Sequence, residues 1–171
     1  MSQTIPIQWD LSELHSTVNI EETKPLITKI IDSSTMFSNK YKENVSSLSP
    51  DGLLNAIQTY EDIKSSLFQL SQFSHLNYAV NFKDNDILSL ISYIDDISSQ
   101  VANTLLFFFL EIGDVSSDVS HLWLTADQLK PYHYAINQAI SKNKFRLSEK
   151  EEQMINIKDV TGADALRKLC S

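Results

Sequence analysis

Four histidines, His15, His75, His121 and His133, are the side chains of this sequence best suited to binding a metal or moving a proton near neutral pH. A zinc site on a helix needs ligands three or four residues apart, so that they share one face. None of the four has a His or Cys partner at that spacing, and the sequence contains no His-Glu-x-x-His. No metal ligand is therefore assigned. Ser120 and His121 are adjacent, with Asp118 close by. A nucleophilic triad depends on geometry and a strained turn that presents the serine, and adjacency supplies neither. Asp84-Asn85-Asp86 opens like a calcium loop but lacks the required glycine and the closing glutamate, so it is read as a helix start. Asp95-Asp96 and Glu151-Glu152 are neighbouring acids. On a helix, neighbours point about 100° apart, which suits a solvated face better than an acid–base pair. Asn44-Val45-Ser46 is a formal glycosylation triplet, inert without secretion. The three glycines are isolated, which leaves no phosphate-cradling loop.

The elements that carry these residues are predicted to be helices. With 3 glycines and 4 prolines in 171 residues, the chain has few of the residues that tight turns between strands require. The first helix is predicted to begin near Thr23 as its cap, with Pro25 in its first turn. Ile27, Ile30, Phe37, Tyr41, Val45 and Leu48 follow at helical spacing. Ser49 and Pro50 predict the next start, followed by Leu53, Ile57, Tyr60, Ile63, Leu67 and Leu70. The third helix is capped by Asp84 and carries Ile87, Ile91, Ile94, Ile97, Val101, Leu105, Phe108 and Ile112, with Gly113 as its stop. Residues 114–124 are read as a short helix or irregular segment. Thr125 and Gln128 form a capping-box pattern, a break is expected near Lys130, and a further helix runs from Pro131 to about Lys142. Ser148 and Glu151 predict one more start. The fold class is all-α, an antiparallel bundle of about five to seven helices.

The formal charge of -8 excludes a general affinity for nucleic acid or anionic membrane, which draws on clustered Lys and Arg. Cys170 is the only cysteine, so no disulfide can form within the chain. The N-terminus has neither a basic start nor an apolar stretch, and the greasiest run, Leu105 to Leu110, is far short of the ~20 residues a membrane span needs. The protein is expected to be cytoplasmic. A helix apolar on every side expects partners on every side. Self-association through the region of Leu105 to Leu110 is therefore expected.

Several short strings occur in an ordered series: Trp9-Asp10-Leu11, Lys40-Tyr41-Lys42, Leu48-Ser49-Pro50, Tyr60-Glu61, Leu105-Leu106-Phe107-Phe108, Leu110-Glu111, His133-Tyr134, Leu147-Ser148-Glu149-Lys150-Glu151-Glu152 and Thr161-Gly162. In that order and spacing they resemble the N-terminal region of the oligoendopeptidase F family, relatives of thimet oligopeptidase. Phe109 departs from the family pattern, which commonly places an acid in that run. The resemblance implies a longer all-helical zinc metallopeptidase that cleaves short peptides inside a deep channel, with its N-terminal helices walling that channel. Its zinc ligands lie on later helices, in a His-Glu-x-x-His motif and a downstream Glu. No catalytic, cofactor-binding or metal residue carries over to this chain, and no cofactor is expected for it, although the full-length family holds zinc.

The resulting organisation is a lead-in at 1–22 pinned by Trp9 and Leu11, a long-helix bundle at 23–113, and an oligopeptidase F N-terminal-type helical module at 114–171. The leading expectation is a truncated or split peptidase segment, a scaffold and channel wall that is inactive alone and partnered by a catalytic half. The alternative is a stand-alone helical protein-interaction module of the same descent. An enzyme with a site of another kind ranks third.

Overall fold

The computed structural model describes residues 20–80, 84–142 and 158. Among them the fold is all-α. The first helix, α1 (Ile20–Tyr41), buries Thr23, Ile27, Ile30, Ser34, Phe37 and Tyr41, an alternation of four- and three-residue steps that keeps one stripe inward. Its start differs from expectation. The helix begins at Ile20, and Thr23 lies fully buried within it rather than capping it. Pro25 sits in the second turn, where its missing N–H sacrifices one backbone bond. Ser34, the polar member of the stripe, returns its hydroxyl to the Ile31 carbonyl at 2.7 Å. Its burial leaves no donor unmatched.

The predicted continuation through Val45 and Leu48 is broken. The chain leaves the helix after Tyr41, makes a 3-10 turn over Val45–Ser47, and is extended at Leu48. Glu43 is left-handed, with φ 66°. Val45 remains fully buried, so the apolar pattern was right about burial and wrong about helix.

The second helix, α2 (Pro50–Val80), starts as predicted. The Ser49 hydroxyl accepts from the Gly52 amide at 3.1 Å, and Pro50 occupies the first helical position. In α3 (Asn85–Gly113), the Asp84 carboxylate accepts from the amides of Asp86 at 2.9 Å and Ile87 at 3.3 Å, as its cap role requires. All eight residues predicted for the α3 stripe are buried. Gly113 is the last helical residue, but no described glycine has positive φ. The turn closes instead through the Asp114 amide on the Glu111 carbonyl at 3.1 Å.

Residues 114–124 resolve into α4 (Ser117–Thr125), capped by the Ser116 hydroxyl. Thr125 does not begin a helix. It ends one, donating its hydroxyl to the carbonyls of His121 and Leu122. A second 3-10 turn, Asp127–Tyr132, holds Pro131 and leads into α5 (His133–Lys142). The helix expected from Pro131 thus starts two residues later, because the proline lies in the tighter turn.

Phe37 of α1 meets Phe108 of α3 at 5.1 Å between ring centroids, and Tyr60 of α2 stacks on Phe108 at 5.6 Å. These contacts, with Glu43 bonded to Glu111, bring the C-terminal ends of α1 and α3 together. The two helices run in the same sense, α2 runs back, and each of the three packs on the other two. Trp123, Leu129 and Ile136, each fully buried, join the same hydrophobic cluster as the long helices. No described helix is long and apolar enough to cross a membrane.

Candidate functional site

The residues with chemical potential do not converge. His75 is exposed on α2, with Nδ1 2.9 Å from the Ser71 carbonyl. His121 is exposed on α4, and His133 is half-buried at the start of α5. His15, Glu151 and Glu152 lie outside the described residues. Ser120 donates its hydroxyl to the Ser117 carbonyl at 2.9 Å, within a regular helix and with no strained turn to present it. Asp95 and Asp96 stand next to each other on α3, half-buried and exposed. No group of three or more His, Cys, Asp or Glu able to hold a metal occurs among the described residues. Among the described residues, no donor set fits the zinc that the resemblance implies for the full-length family.

The convergent polar chemistry is architectural. Glu111, near the end of α3, accepts from the Glu43 amide at 2.8 Å through one carboxylate oxygen. Through the other it accepts from the Val45 amide at 3.3 Å. One side chain therefore satisfies two backbone donors of the α1–α2 connection and fixes it to α3. The Trp123 ring nitrogen donates to the Leu48 carbonyl at 3.0 Å. Gln128 donates to Asp51 at 2.9 Å, and the Tyr132 hydroxyl donates to Glu61 at 2.8 Å. The α4–α5 segment is thus laid along the start of α2 by three successive polar rungs. The hydrogen bond to Glu61 holds the Tyr132 phenol above its ordinary range, because ionisation would give up the proton that makes the bond. Burial raises the Tyr60 phenol.

Sequence reasoning missed these rungs. Glu61 and Glu111 stood in the family-like strings, but their partners lie 71 and 66–68 residues away, and no local spacing signals them. Beside them sits an aromatic cluster of Phe37, Tyr41, Tyr60, Phe107, Phe108 and Phe109. Such pairs add about 0.5–1.5 kcal/mol each beyond area burial. Phe109, where the family pattern expects an acid, forms a T-shaped pair with Tyr60 at 5.2 Å between ring centroids. Among Leu105 to Leu110, three residues are buried, and Leu106, Phe109 and Leu110 are half-buried. None is fully exposed.

The described surface also holds a shallow trough of about 530 Å³ along α3, lined by Asn85, Leu88, Ser89, Ser92, Tyr93 and Asp96. Nothing in it pairs a nucleophile with a base.

Compared with known proteins, the chain is similar to an oligoendopeptidase F homolog of Borreliella burgdorferi. The relation is distant. Identity is 24% over 148 residues, which cover 86% of this chain. The chain spans only 24% of the length of that relative. No family model and no solved structure matches. The similarity points to a peptidase-related origin.

Proposed function

We propose that this chain is the N-terminal helical scaffold of an oligoendopeptidase F-like zinc metallopeptidase, where it forms part of the wall of the peptide channel and is inactive by itself. The observation that carries the reading is the distant similarity across 86% of the chain to a peptidase homolog about four times as long. The sequence adds a second support. It has no His-Glu-x-x-His, so zinc-dependent hydrolysis of the family's kind would need a catalytic part from elsewhere. The helices suit a wall. Their polar rungs and aromatic cluster stiffen a surface rather than assemble reacting groups. The partner in this role is the catalytic half of such a peptidase. Leu106, Phe109 and Leu110 form the half-buried part of the apolar run through which that half, or a second copy of the chain, would pack.

The test combines zinc analysis with hydrolysis of a mixed fluorogenic peptide library. The chain alone is expected to hold no stoichiometric zinc and to cleave nothing. Mixed with the part of the matched homolog that lies outside the aligned region, it is expected to be retained in a pull-down and to raise peptide cleavage above that of the fragment alone. Stoichiometric zinc or cleavage by the chain alone would overturn the reading. Failure of the fragment to bind would favour a stand-alone interaction module of the same descent.

A further inference from the structure

We draw no further inference here: the strongest candidate, the shallow trough of about 530 Å³ along the exposed face of α3 between Asn85 and Asp96, is an unpartnered face with nothing in the structure to show what covers it.

Discussion

Glu111 is the side chain on which the α1–α2 connection depends. Its carboxylate takes the amides of Glu43 and Val45, and Val45 is wholly buried. Removing the acceptor leaves the Val45 amide short of a partner, while the exposed Glu43 amide can turn to water; an unsatisfied buried donor costs about 1–3 kcal/mol. Glu111→Ala is expected to lower stability by roughly that amount, read as a fall in the urea midpoint at unchanged slope. An unchanged midpoint would mean that water replaces the carboxylate. Glu43 carries the opposite expectation. It holds φ 66° just beyond the end of α1, where glycine usually ends a helix. A left-handed L-residue costs about 1–2 kcal/mol, partly offset by the greater freedom of glycine in the unfolded chain. Glu43→Gly is expected to raise the melting temperature, by about 0.5–1 kcal/mol of stability. A drop on thermal melting would show that the Glu43 side chain contributes more than its backbone strain costs.

At the scale of elements, local signals held where caps and stripes coincide. Asp84 caps α3 by accepting hydrogen bonds from two backbone amides, so Asp84→Ala is expected to cost about 1 kcal/mol. Amide exchange should quicken in the first turn of α3 and stay unchanged near Phe108; uniform quickening would mean that the cap governs global unfolding. Signals failed where two elements compete for the same residues. Thr125 and Gln128 have capping-box spacing, yet Thr125 closes α4, and Gln128 reaches across to Asp51 instead. The α1 pattern ran past Tyr41 for a similar reason. Val45 is buried in the core, and Leu48 packs half-buried against it with its carbonyl held by Trp123, whatever their backbone conformation.

At the scale of the whole molecule, alkaline pH tests how α2 holds its neighbours. Tyr60 is raised by burial, and Tyr132 by its bond to Glu61. A phenol with a raised folded value contributes stability that is fully present below its unfolded value, about pH 10, and is lost as pH rises through the folded value. The melting temperature is therefore expected to fall above pH about 10. The double variant Tyr60→Phe, Tyr132→Phe is expected to fall less steeply over that window. Parallel curves for the two proteins would exclude both phenols as the cause.

The sequence by itself determined the all-α class, the starts of α2 and α3, and the inward stripe of α3. Each of these rests on interactions within one or two helical turns, where spacing in the chain is spacing in space. It also determined that no His-Glu-x-x-His is present. Tertiary structure decided the rest. Glu111 reaches Glu43 across 68 residues, and Trp123 reaches Leu48 across 75. Chain separation carries no information about such pairs until the helices have packed. The same packing placed Leu105, Phe107 and Phe108 inside and left Leu106, Phe109 and Leu110 half-buried. Burial is a property of the assembled bundle, because each helix supplies only one side of every contact.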